Sequence, residues 1–299
     1  MWEKLLEKKK AAGDNDERGT LAIKTNLALT FMKQGIYSDA EALLKEVLGK
    51  QKVLLGENHP DTLFTSVTLA GAYNQQGKHS DADVLYQQGS EKQKAVLGES
   101  DRDSLNTMKN LAASYLSQGK YRDAEKLYKQ CLAKQKAVLG ENDPSTLSTL
   151  CNLAATYHYQ EKFSEAEVLY KQCLAKQKEL LGENHPDTLN TMINLASLYN
   201  MRRNYAVAEA LLKPCLEKQK LIIGKSSHET LHTMSTLATT YENQHKYHDA
   251  EVLYKDCLER QKKTLGPDHP ETLATIRNLI DVYLKQGKIS EAEALYSNL

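Results

Sequence analysis

The nine residues LGENHPDTL stand at 55–63 and again, unchanged, at 181–189. The copies are 126 residues apart, three times 42, and 42 is the period of the whole chain. Glycine recurs at 56, 98, 140, 182, 224 and 266, each time after leucine or isoleucine. Leu-Ala recurs at 69–70, 111–112, 153–154, 195–196 and 237–238, with a tyrosine three residues after each alanine. Alanine holds 40, 82, 124, 166, 208, 250 and 292. Self-similarity at a fixed spacing of about 20–50 residues marks an array of like units, none of which can bury a core alone. It overrides the one or two domains that length alone suggests.

Each period reads as two helices. From Pro60, apolar residues fall at Leu63, Val67, Leu69, Ala70 and Tyr73, a helical rather than a strand spacing. Proline opens this helix, Asp143 and Ser227 stand at cap positions, and Asp61, Asp187 and Glu271 suit the positive end of the dipole. Gly35, Gly77, Gly119 and Gly287 close it as left-handed caps. The second helix is expected to open with capping boxes, Ser38-x-x-Glu41, Ser164-x-x-Glu167 and Ser290-x-x-Glu293. It continues through a recurring Lys-Gln-Lys, whose lysines suit a solvated helix C-terminus, to the Leu-Gly stop. LGENHPDTL is then the joint between units, repeated because every joint sets the same stacking. One repeat departs from the rules: Arg203 replaces the cap glycine, Leu212 the tyrosine, and Pro214 falls inside the second helix. An interior proline costs about 3 kcal/mol and kinks a helix, although this column is otherwise polar and outward.

Met108-x2-Leu111-Ala112-x2-Tyr115 followed by Ala124-x3-Tyr128 resembles the tetratricopeptide repeat. The usual unit has about 34 residues. Here the longer second helix, the joints and Asn-Leu-Ala in the first helix resemble the kinesin light chain type. The resemblance covers essentially the whole chain. It implies an all-α, right-handed α-solenoid of antiparallel helix pairs. Residues 1–14 align with the tail of a preceding repeat, a helical stub at about 2–12 and a joint. Residues 15–299 then form seven helix pairs, the last truncated, and the expectation is a piece of a longer array or a multidomain protein.

Composition narrows the function. Thirty-nine basic and 39 acidic residues cancel, so no global field favours nucleic acid or an anionic membrane. No apolar run approaches a membrane span or a signal segment, which points to the cytoplasm. Cys131, Cys173, Cys215 and Cys257 share one column, with Val47 and Gly89 in other repeats. Stacked helices roughly 8–10 Å apart are too distant for disulfides, which need Cα atoms within about 7 Å, so these cysteines read as buried packing residues. Cys151 stands in another column. His228 and His232 are four apart but lack a third ligand, and no phosphate loop, CxxC or GxSxG occurs. The expectation is neither an enzyme nor a metal or cofactor protein, and no small-molecule substrate.

What remains is binding. Three first-helix columns vary freely between repeats: Ala22/Phe64/Asn106/Ser148/Asn190/His232/Ala274, Thr25/Val67/Lys109/Cys151/Ile193/Ser235/Arg277, and Met32/Asn74/Leu116/His158/Asn200/Glu242/Leu284. First helices line the groove of tetratricopeptide arrays, so Lys109, Asn190, Asn200 and Arg277 are candidate readers of a partner. A fourth column recurs as Asn26, Asn110, Asn152, Asn194 and Asn278, with Thr68 and Thr236 in the gaps. A carboxamide offers two donors and an acceptor, enough to hold a peptide backbone whatever its side chains. Kinesin light chains use groove asparagines on cargo peptides, and the resemblance implies that role here. The structural alternative is a bond to the neighbouring repeat. The expected function is a scaffold that binds an extended segment of a partner protein. The other reading is a structural or self-associating arm of a larger motor or signalling protein.

Overall fold

A computed structural model describes residues 16–297. They fall into two compact units divided between Gln160 and Glu161. The first unit contains α1 (Glu17–Lys33), α2 (Tyr37–Leu54), α3 (Pro60–Gln75), α4 (His79–Leu97), α5 (Arg102–Ser117), α6 (Tyr121–Val138) and α7 (Pro144–Tyr159). The second contains α8 (Phe163–Leu180), α9 (Pro186–Met201), α10 (Tyr205–Ile222), α11 (His228–Asn243), α12 (Tyr247–Thr264), α13 (Pro270–Lys285) and α14 (Ile289–Tyr296). The described residues thus form fourteen helices and no strand, the expected all-α repeat fold. The stub at about 2–12 and residues 1–14 as a whole lie outside them.

Odd helices in the first unit (α1 to α7) and α9, α11 and α13 in the second are first helices; the others are second helices. Consecutive helices pack together within each unit. Within each unit the backbone of a first helix also approaches that of the next first helix, whereas no two second helices approach so closely among the described residues, so first helices form the inner side of each unit. The crossings are made of alanine. Ala28, Ala70, Ala112 and Ala154 on first helices and Ala40, Ala82 and Ala124 on second helices are fully buried, and a methyl group lets helix axes draw close. In the first repeat Ala28, Ala40, Leu44 and Leu48 form one cluster with Leu69 and Ala72 of the next repeat. Each fully buried leucine contributes about 1.5–3 kcal/mol.

The joints follow the sequence closely. Pro60, Pro144, Pro186 and Pro270 open first helices, and the Asp143 and Ser227 side chains accept from the amides of Ser145 and Thr230. The histidine of the joint has a job the sequence reading left unassigned. Nδ1 of His59, His185 and His269 accepts from the amide two residues on, at 3.2, 3.2 and 3.3 Å, so the imidazole is itself the cap.

The capping boxes are not formed. The second helices begin at Tyr37, Phe163 and Ile289, one residue before the expected serine, and Ile36, Lys162 and Lys288 make no side-chain cap. The turn is too tight to leave serine outside the helix. In the Gly77 turn, for instance, the amide of Lys78 already bonds back to the carbonyl of Tyr73. Freed from capping, Glu41 instead ties two repeats, accepting from Nε2 of Gln76 at 2.8 Å and Nζ of Lys78 at 2.7 Å. Asp83 does the same with Ser114, Gln118 and Lys120. In the second unit Glu209 takes Lys246, and Glu251 takes Lys288. A lysine one turn on from the acid, Lys45, Lys213 or Lys255, lies over a tyrosine ring of the next repeat at 5.4–5.5 Å. Lys45 and Lys78 hold the Glu41 carboxyl at about 2. Burial pushes Glu209 and Glu251 upward, but their lysine pairs outweigh it and hold both at about 2.

The turn after each first helix needs a left-handed residue. Gly77 supplies it at φ 75°, but Glu161, Arg203 and His245 adopt it with a side chain, at 61°, 58° and 61°. Pro214 is exposed, and α10 runs through it without a break. The carbonyl of Ala210, which loses its amide partner, belongs to an exposed residue.

Three outcomes follow from this packing. Arg203→Gly and His245→Gly should each stabilise the protein by about 1 kcal/mol in urea titration, and Gly77→Ala should destabilise it. Because the paired carboxylates are depressed in the folded chain, their stabilisation is complete above about 4.5 and is lost as pH falls toward about 2. Unfolding midpoints measured across that range should fall steeply, and less steeply in Glu41→Gln/Glu209→Gln/Glu251→Gln. The four cysteines of the shared column are fully buried, with Cys131, Cys215 and Cys257 bonded to the carbonyls of Leu105, Leu189 and Leu231. Burial pushes these three thiols up to about 11–12, whereas Cys151 is only half-buried. In thiol titration of the native protein Cys151 should react first, and equal fast reaction at all five would contradict the packing.

Candidate binding face

The first helices present their polar columns on the inner side of each unit. In the first unit this face holds two clefts with Phe64 between them. The larger, about 370 Å³, lies between Met32, Phe64, Val67 and Gly71 on one side and Asn106, Lys109 and Asn110 of α5 on the other. The smaller, about 190 Å³, contains Asn26 with Arg18, Gln51 and Asp61. Gly71 lines the larger cleft, and Gly89 lies behind its Val67. A Cβ on Gly71 would stand 3.3 Å from Met32 Cε and 3.4 Å from the Tyr86 hydroxyl. One on Gly89 would stand 2.8 Å from Val67 Cγ2, so Val67 fills the space that the thiols fill in later repeats.

The sequence-predicted asparagines differ in their surroundings. Asn26 and Asn110 are half-buried and Asn194 is exposed, and none of the three side chains makes a hydrogen bond to another described residue. Asn152 is half-buried beside the Tyr128 hydroxyl, and Asn278 beside that of Tyr254. Burial pushes both hydroxyls up, while the asparagine works the other way, as a donor to the phenol oxygen does. The Tyr128 hydroxyl is fully enclosed and has no hydrogen bond of good geometry; the Asn152 amide is the polar group that bears on it. The Tyr254 hydroxyl also meets Thr239 Oγ1 at 2.7 Å.

The variable columns are a poorer guide. Asn190 and Arg277 are exposed and Lys109 is half-buried, as a reading surface requires. Asn200, however, donates to Thr240 Oγ1 of the next repeat at 2.8 Å, and its Oδ1 is enclosed. Thr25, Ile193 and His158 are buried and are unavailable to a partner. A column's variability therefore records local packing changes as well as exposure. His228 Nε2 meets Glu271 Oε1 at 2.8 Å, and burial lowers the His232 pKa. No cluster of three or more metal-ligating residues occurs among the described residues.

One column escaped the sequence reading. The middle residue of Lys-Gln-Lys, at 51, 93, 135, 177 and 219, and of Arg-Gln-Lys, at 261, is buried throughout, and each Oε1 lacks a hydrogen-bond partner among the described residues. Gln135 Nε2 donates to Ser145 Oγ at 3.0 Å, and Ser145 Oγ in turn donates to Asn106 Oδ1 at 3.3 Å. The strict recurrence of the glutamine was the available signal; the flanking lysines concealed it.

The tetratricopeptide repeat profile matches residues 19–95, 103–179, 169–220 and 228–297. No curated protein matches significantly. Among solved structures, nearly identical tetratricopeptide-like repeats assigned to a Podospora anserina kinesin light chain are 29% identical, at a TM-score of 0.57, over 65% of this chain and 92% of theirs. The quorum sensor NprR from B. thuringiensis, in its apo form, is 18% identical, at a TM-score of 0.74, over 99% of this chain and 80% of its own. NprR in complex with its cognate peptide NprX gives 16% identity and a TM-score of 0.66, over 99% and 82%. Repeat period, helix pairing and profile agree along the chain, which belongs to the tetratricopeptide repeat family and resembles its kinesin light chain type.

Proposed function

We propose that the protein is a non-catalytic scaffold whose first-helix face holds an extended segment of a partner protein. One observation carries this reading: the ties between repeats are made elsewhere, by the acid–glutamine–lysine sets and the alanine crossings, while Asn26, Asn110 and Asn194 stand on first helices with no hydrogen-bond partner among the described residues. A carboxamide so placed can take both the N–H and the C=O of a passing backbone. Lys109, Asn190 and Arg277 then choose among side chains. The NprR–NprX complex supports the reading, since a related fold there carries a peptide.

A second reading has its own observation. Leu54, Val96 and Val138 in the first unit, and Leu180 and Ile222 in the second, lie at or one residue before the ends of their helices and are 40–51% exposed. Such a recurring aliphatic edge favours self-association, and sedimentation that shifts with concentration would support it.

The first reading is tested with peptides selected from a random display library on the full chain. Replacing Asn26 and Asn110 of the first unit together by alanine should weaken their binding roughly five- to a hundredfold, since each lost hydrogen bond is worth about 0.5–1.5 kcal/mol. Melting temperature should change little. A large fall in melting temperature with unchanged affinity would show that the asparagines are mortar.

A further inference from the structure

The second unit carries a cleft that the asparagine columns do not enter. It measures about 510 Å³ and lies between the second helices α10 and α12, with Leu237 and Tyr241 of the first helix α11 at its base. Pro214 and Leu216 line it from α10, and Val252 and Leu253 from α12. Pro214 is what sets this place apart. The same column holds Glu46, Gln88, Gln130, Gln172 and Asp256 in the other repeats. A glutamine extends a carboxamide from the helix surface, whereas the proline ring closes back on its own backbone and leaves the space beside it clear. An interior proline weakens its helix, and this one is exposed, so the core gains nothing from it. Its ring instead adds apolar surface to a cleft whose other wall holds Val252, itself 54% exposed.

The polar groups around the cleft are unequally matched. Lys213 pairs with Glu209 at 2.6 Å, and Lys220 with Glu217 at 2.9 Å. Asp249, in the first turn of α12, also lines the cleft; it is exposed and has no hydrogen bond or ion pair with another described residue. One turn before Pro214, exposed Ala210 has a carbonyl whose helical amide partner the proline removes. Both of the unmatched groups are acceptors, and one is a full negative charge.

We propose that this cleft is a second docking site, for a segment of a partner protein that carries a large aliphatic or aromatic side chain beside an arginine or lysine. The apolar side chain enters between Pro214 and Val252 and removes both from water. The cation meets Asp249, and its N–H groups supply the donors that this border lacks. The site goes beyond the scaffold reading of the first-helix face, since other helices hold it and it recognises side chains rather than backbone.

The test uses peptides from a random display library, selected on the full chain after removal of those that bind Pro214→Gln. That variant installs the side chain of Gln130 and Gln172 and should melt no lower than the parent. The surviving peptides should pair a large apolar residue with arginine or lysine. Pro214→Gln and Val252→Lys, the latter placing at 252 the residue of the equivalent position Lys126, should each bind them roughly tenfold more weakly or worse. Asp249→Asn should weaken binding about two- to fivefold and flatten its salt dependence. Replacing Asn26 and Asn110 by alanine should leave this binding unchanged, so failure of the first-helix reading would not remove it. Three results would overturn the proposal: no surviving peptide, survivors that are acidic, or survivors indifferent to Val252→Lys. Concentration-dependent sedimentation that Pro214→Gln abolishes would also overturn it, by assigning the cleft to a second copy of the chain.

Discussion

The structure depends on the alanines buried between the helices of a pair. Ala28 and Ala40 share one buried cluster and Ala70 and Ala82 another, and side chains no larger than a methyl let the two helices draw close. Two helices crossing so closely cannot enclose a core between them. Their leucines and tyrosines emerge along the flank, and the next repeat must cover them. Leu44 and Leu48 are buried because Leu69 and Ala72 arrive from the following repeat. Stability in each unit is therefore a property of interfaces, close to a sum over nearest neighbours.

This division of labour bears on the reading of polar residues. An array must join its repeats with something, and a recurring polar residue is as apt to be a fastening as a binding group. Here the fastenings can be named. The acid at the head of a second helix takes the glutamine that caps the next first helix, the lysine after the turn, or both, as Glu41 takes Gln76 and Lys78, while Glu167 takes Tyr199 and Arg202 instead. Asn200 is also a fastening, through Thr240. The residues that these contacts leave over, Asn26, Asn110 and Asn194, are the ones whose chemistry points outward.

The fold was legible because its signals repeat. A single Leu-Gly means little, whereas five and one Ile-Gly at one spacing define the joints, and the helix bounds then follow from proline and the cap glycines. What could not be read from the chain was direction. Ser38 and Glu41 match a capping box in type and spacing, but the one-residue earlier start of α2 turns Glu41 toward the neighbouring repeat. Gln51 and its equivalents were hidden between lysines, because a helical period assigns a face only when the axis position is known. Within the candidate face, Asn110 and Asn200 look alike in sequence; only the structure shows that one has a protein partner and the other does not.

The spacing of the fastenings has a kinetic meaning. Gln76 reaches Glu41 across 35 residues, Lys78 across 37, and Lys285 reaches Glu242 across 43. Each is a loop of about one period, and lengthening the array adds more such loops rather than longer ones. The entropy of closing a chain grows only with the logarithm of its length, and here the closing length stays near one period within each unit. Order can then begin at any well-made joint and spread by zippering to its neighbours. The turns that use a left-handed residue other than glycine, Glu161, Arg203 and His245, each carry a backbone cost of roughly 1–2 kcal/mol that a glycine would avoid, so a zipper spreading through them gains less at each such step.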